Sequence, residues 1–399
     1  MDAIFGNCAP QSVSQDHVDD LCGLLLASVP RSDQRRWGEL YVRGLLRTQG
    51  RKTIQGIAAA EGSAAMQSLQ QFISTSPWQW KPVRQSLARH LDREIRPAAW
   101  VVEPLTVLKA GRHSVGVERQ FVPGLGRMAN CQQSTSVWLA AERASCPVDW
   151  QLALPVGWVA DREQRRRAAI PEHARALTPV QCSVEAVLTM AEDWGLPARP
   201  VVMAVPGPDV FEVTAAFTAR RIPFVLRIDG TLPVVESAGG TRVLPASRLI
   251  GALRERAGVV DWRDLGGLVQ RSARVVGVRV GLPAPADRAG GWTGLRPYLL
   301  VGAWSDPLSA RPTEFWLSNL GHLPTATVLR TAKLARRVSR DLFEVGDRVG
   351  ARDFAGRTFR GWHHHATLVS IAHAVCVLAR QGRPGYPPLP VHRTLVGAR

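Results

Sequence analysis

The spacing of hydrophobic and polar positions along the chain first changes near residue 98. Upstream, Val18, Leu21, Leu24 and Leu25, then Leu40, Val42, Leu45 and Leu46, recur at three- and four-residue intervals. That spacing predicts amphipathic helices through residues 15–95. The stretch TIQGIAAAEGSAAMQSLQQFIS (53–74) holds two short apolar segments broken at Gly62, with Thr53 placed to cap the first and Ser63 the second. Two short helices about a glycine-containing turn suit a helix-turn-helix, although the pattern alone favours a plain helical bundle. Trp78 and Trp80 are expected to close the core of this region.

Downstream, AAWVVEPLTVL, HSVGVERQFV and QQSTSVWLAA are β-branched and apolar, separated by Gly and Asn, and read as three consecutive antiparallel strands. Residues 149–171 read as a long excursion. Val184, Val187, Leu188, Met190 and Ala191 mark an amphipathic helix over 179–194, and ARPVVMAV (198–205) and IPFVLRID (222–229) are buried strands. The alternating VVGVRVGL marks residues 236–296 as a small β-rich insertion. FWLSN (315–319) is a further strand, 325–350 and 364–381 are helices, and RPGYPPLPVHRT is irregular. The organisation expected is a helical N-terminal domain (1–95), an α/β core in two parts (96–235 and 297–385), the insertion between them, and a proline-rich tail (386–399).

Composition narrows the classes. A chain of 399 residues exceeds what one core usually supports. It has no uninterrupted apolar run long enough to span a bilayer, so no membrane role is expected. Asp2, Asp16, Asp19 and Asp20, with no basic segment before them, argue against a secretory signal. The six cysteines are scattered without CxxC spacing, which suits a reduced, cytoplasmic compartment. The 50 Lys+Arg against 33 Asp+Glu give a net charge of +17, which calls for a polyanionic partner. Only four of the basic residues are lysines, so compositional bias explains the choice of Arg but not the shortage of acids. Basic residues cluster at 31–52, at REQRRR (162–167) and at 330–340.

Five ordered strings carry a family resemblance: QRRWGELYVRGLLRTQGRKTIQGIA (34–58), LKAGRHSVGVERQFVPGLGRMANCQ (108–132), LALPVGWVADREQRRRAAIPE (152–172), EFWLSN (314–319) and FAGRTFRGWHHHATLVSIAHA (354–374). Together they resemble the bacterial insertion-sequence DDE transposases of the insertion sequence 701 type, a DDE superfamily endonuclease. The resemblance implies an RNase H-like α/β core with a helical N-terminal domain and a β-rich insertion. It also implies DNA cutting and joining by three carboxylates that hold two divalent ions. Mg²⁺ suits such oxygen-rich sites.

At each motif that the resemblance brings, this chain departs from the pattern. WVVEPLTVLKAG (100–111) has Glu103 and Pro104 where two Asp are expected. VVMAVPGPD (201–209) has Met203 or Ala204 at the second position, and FAGRTFRGWHH (354–364) has Ala355 at the third. Glu103 is the one weak metal candidate, so no metal is expected. Mg²⁺ enters only if displaced carboxylates (Asp209, Asp353, Glu344 or Glu314) serve an active transposase. His363, His364 and His365 would point in different directions on a helix, so a structural or DNA-contacting role is favoured over chelation. Ser114 beside His113 belongs to the family string and is not read as a nucleophile.

The leading expectation is a transposase-like chain that binds double-stranded DNA without cleaving it, associated with a bacterial nucleoid, as a possible homodimer. Arg35, Arg36, Arg43, Arg47, Arg51 and Lys52 are the expected phosphate contacts of the helical domain, and Arg165, Arg166, Arg167 and Arg357 those of the core. The alternatives are an active transposase with displaced carboxylates, or a scaffold whose former DNA surface binds another partner.

Overall fold

The computed structural model describes residues 14–62, 66–236, 242–264, 269–283, 297–306 and 309–381. Ser63 and the proline-rich tail lie outside these. Five helices come first: α1 (Gln15–Leu25), α2 (Ser32–Arg47), α3 (Ile54–Ala60), α4 (Met66–Ser74) and α5 (Trp80–Ile95). Thr53 Oγ1 accepts from Gly56 N at 3.0 Å, which satisfies one of the free donors at the start of α3. Gly44 lets α2 and α3 cross closely, because a Cβ there would lie 2.4 Å from Ile57 Cγ2.

The strands follow: β1 (Ala99–Leu108), β2 (Val117–Val122), β3 (Arg127–Ala140) and β4 (Ser145–Leu152). Short helices α6 (Val156–Ala160) and α7 (Arg162–Arg167) lead to α8 (Pro179–Asp193), β5 (Val201–Ala204), α9 (Val210–Ala219) and β6 (Phe224–Ile228). β1 runs antiparallel to β3 and parallel to β5, and β5 runs parallel to β6. A hairpin-connected antiparallel half joined to parallel strands by helical crossovers is the RNase H-like arrangement. Residues 149–171 are therefore not wholly irregular. They begin with the end of β4, whose residues Ser145–Trp150 are all buried, so that the strand lacks the alternation that would mark it in sequence.

The insertion comprises β7 (Pro233–Glu236), β8 (Val243–Pro245), α10 (Ala246–Ala252), β9 (Gly258–Asp264) and β10 (Val269–Gly281). β11 (Tyr298–Trp304) and β12 (Glu314–Ser318) then return to the core. β12 pairs with β6, so these strands extend the same sheet, in the order β2-β3-β1-β5-β6-β12-β11-β10-β7-β8.

Two helices close the fold: α11 (Thr325–Asp341) and α12 (Phe359–Gln381). α12 begins five residues before its expected start at 364 and is buried on nearly every side as far as Val377. It packs against α1, α2, α4, α5 and β4 and so joins the N-terminal helices to the sheet. Trp78 does pack in the helical region, stacked on Phe72 of α4 at 5.5 Å, but both tryptophans also face α12. Trp78 stacks on His364 at 3.8 Å and Trp80 on His363 at 4.6 Å, both on α12. Among the described residues no helix is long and apolar enough to cross a membrane.

Candidate functional site

β1, β5 and α11 converge on one point. Trp100 pairs with Val201 and Val101 with Val202, and the same register carried two residues further sets Glu103 beside Ala204. Side chains alternate along a strand, so Glu103 and Ala204 share a face while Met203, 2% exposed, is buried toward the other. α11 packs on β1, β5 and β6 and presents Ser339, whose Oγ donates to Glu103 Oε1 at 2.9 Å. Burial pushes the Glu103 carboxyl above its ordinary range, and the Ser339 hydroxyl and the Arg352 guanidinium offset this only in part.

The helix residue that meets Glu103 is thus Ser339, not Ala355. Ala355 is exposed in the loop before α12 and lines a separate cavity with Tyr41, Lys52 and His365. Asp353 lies in the same loop, where turns over 347–352 give way to irregular backbone until α12 starts at Phe359. Nothing in the sequence marked Ser339: it carries no acid and sits in an arginine-rich segment, VLRTAKLARRVSRD.

The four displaced carboxylates are committed elsewhere or lie apart. Glu314 Oε2 accepts from Lys333 Nζ at 2.7 Å and from Trp316 Nε1 at 3.1 Å. Asp353 Oδ2 accepts from Lys52 N at 2.9 Å. Asp209 precedes α9, and Glu344 follows α11. None of them is hydrogen-bonded to Glu103 or Ser339. Asp341, two residues past Ser339, is buried and accepts from Ser145 Oγ and Arg337 Nε, each at 2.6 Å.

A two-metal centre needs several carboxylate oxygens around ions roughly 3.5–4 Å apart. One carboxylate, one methyl group and one hydroxyl do not supply them. Among the described residues no group of three or more His, Cys, Asp and Glu is placed to hold a metal. The His363–His365 run is buried within α12. His365 Nδ1 accepts from Tyr41 Oη at 2.9 Å and His365 Nε2 donates to Gly350 O at 2.9 Å. A DNA-contacting role for the three histidines is therefore ruled out by burial, and the structural one stands.

The expected phosphate contacts divide into two groups. Lys52 is buried and donates to Thr48 O. Arg43 is paired with Asp19 and Glu39, and Arg47 with Glu61. Arg35 donates to Val29 O and Pro30 O. Arg165 ties Val159, Pro171 and Ala174 together through their carbonyls, and Arg167 pairs with Glu163. Arg36, Arg51, Arg166 and Arg357 are exposed and form no ion pair with another described residue.

The family model described as "DDE superfamily endonuclease" matches residues 24–251, more than half of the chain. The chain belongs to that family. A search of curated proteins finds no match. Among solved structures the chain is similar to a piggyBac transposase in a synaptic complex with hairpin DNA, at 8% identity and a TM-score of 0.37, with 94% of this chain and 73% of that one covered.

Proposed function

We propose that the chain is a DNA-binding member of the DDE family that does not cleave. One observation carries the reading: at the junction of β1, β5 and α11, Glu103 is hydrogen-bonded to Ser339 and faces Ala204. A methyl and a hydroxyl there leave a single carboxylate, which cannot clamp two ions against a phosphate. The fold around this point remains packed, with Val101, Val202 and Leu226 fully buried beside it. Loss of ligands inside an intact scaffold fits a chain kept for holding DNA.

Exposed Arg36, Arg51, Arg166 and Arg357 are the phosphate contacts in this reading. α4 turns Gln67, Gln70 and Gln71 outward, and glutamine can pair with adenine edges in a major groove. Double-stranded DNA is then the partner and the bacterial nucleoid the location. A mobility-shift series over rising salt tests the reading: log affinity should fall linearly with log salt, by about 0.9 per phosphate contact. Absence of duplex binding at low salt would refute the DNA partner. Mg²⁺- or Mn²⁺-dependent nicking that Glu103→Gln abolishes would refute the loss of cleavage.

A further inference from the structure

The end of the β2–β3 hairpin carries side chains that the catalytic point does not use. Arg119 pairs across the strands with Asn130, and Phe121 with Met128. Lys109 N donates to Asn130 O at 2.9 Å, which continues the row onto the end of β1. Alternation places Lys109, Arg119, Phe121 and Met128 on the sheet face that holds Glu103. A concavity of about 320 Å³ here is lined by Lys109, Arg112, Arg119 and Arg127 and by no carboxylate. Arg112, Arg119 and Arg127 form no ion pair with another described residue.

Apolar side chains surface at the same place. Leu108 and Met128, which line the concavity, are 51% and 47% exposed, and Phe121, the cross-strand partner of Met128, is 58% exposed. Cations alone would suit the backbone of a straight duplex and leave these side chains in water. An unstacked or unpaired base would cover them, because aromatic and aliphatic side chains pack on base faces at distorted steps.

We propose that this hairpin face binds DNA at a distorted step, with one strand's phosphates on Lys109, Arg112, Arg119 and Arg127 and an unstacked base on Phe121 and Met128. The proposal rests on the DNA-binding reading above. Lys109 is the inner anchor. Its Nζ donates to Phe354 O at 2.6 Å, and burial together with Arg51 pulls its pKa down to about 8, against the attraction of Asp353. A phosphate beside it would favour its charged form.

The test uses the full chain and two labelled probes, a perfect duplex and the same duplex with one unpaired base. Arg119→Gln with Arg127→Gln should lower the slope of log affinity against log salt by about 2 on both probes. Phe121→Ala should leave the slope unchanged and weaken binding of the unpaired-base probe at least about five-fold, with little effect on the perfect duplex. Circular dichroism checks that both variants fold. A wild-type slope in the double variant, or an equal effect of Phe121→Ala on the two probes, overturns this proposal alone. Failure of the unmodified chain to bind either probe overturns the DNA-binding reading with it. Binding of polyglutamate that is lost in the double variant, with duplex binding intact, assigns the face to an acidic protein and overturns the proposal.

Discussion

At Glu103 a carboxylate sits where the fold gathers β1, β5 and α11, and burial with one hydroxyl partner leaves it costly to ionise. A carboxyl whose folded-state pKa lies above its unfolded value binds its proton more tightly when folded. Its penalty is absent in acid and grows as pH rises from the unfolded value through the folded one. Glu103→Gln, which can still accept from Ser339, should therefore stabilise the chain at neutral pH and lose that gain in acid, as urea unfolding at the two pH values would measure. A second prediction supplies two further carboxylates at this point. Ala204→Asp with Ser339→Glu should create a Mn²⁺ site visible by calorimetry, while the unmodified chain binds no stoichiometric Mn²⁺. Of these three positions, the strand strings single out Glu103 and leave Met203 or Ala204 open at the second; the β1–β5 register favours Ala204 as the one on the Glu103 face. Ser339 was not legible in sequence, because only the packing of α11 on β1 brings it within 2.9 Å of Glu103.

Among the elements, α12 bears most of the connection between the N-terminal helices and the sheet. Arg84 on α5 is fully buried and donates to Asp149 Oδ1 on β4 and to Thr367 Oγ1 on α12, each at 2.8 Å. Arg84→Met would leave Asp149 buried without its partner and should cost about 3–5 kcal/mol in denaturant unfolding. Burial, the leading cause in each case, holds the imidazoles of His364, His365 and His373 down to about 4, and holds that of His363 well below its ordinary value. A histidine depressed in the folded state is neutral in both states at high pH. As pH falls below the unfolded value near 6.5, the unfolded chain takes up protons that the folded chain refuses. Tm should therefore fall steadily from about pH 6.5 to about pH 4, and a flat profile across that window would contradict the burial of these rings. The amphipathic helices α2, α8 and α11 could be read from their apolar stripes. α12 and β4 were harder to place, because elements buried on all sides show no stripe and no alternation.

For the molecule as a whole, the net charge of +17 is spent unevenly. Arg84 is consumed in the core, and Arg43, Arg47 and Arg165 in local pairs or carbonyl contacts. Arg36, Arg51, Arg166 and Arg357, with the hairpin end, remain directed at solvent. Sequence clustering identified the basic segments but could not separate arginines already bonded from those left free, since that depends on partners distant in the chain. In the proposed reading, the centre and the surface belong to a scaffold that holds DNA and leaves it whole. The most direct test incubates supercoiled plasmid with the chain at low salt and millimolar Mn²⁺, then resolves the plasmid before and after the protein is stripped away. The account predicts a retarded complex that returns wholly to supercoiled circles. Relaxed or linear plasmid that is absent with Glu103→Gln would contradict it.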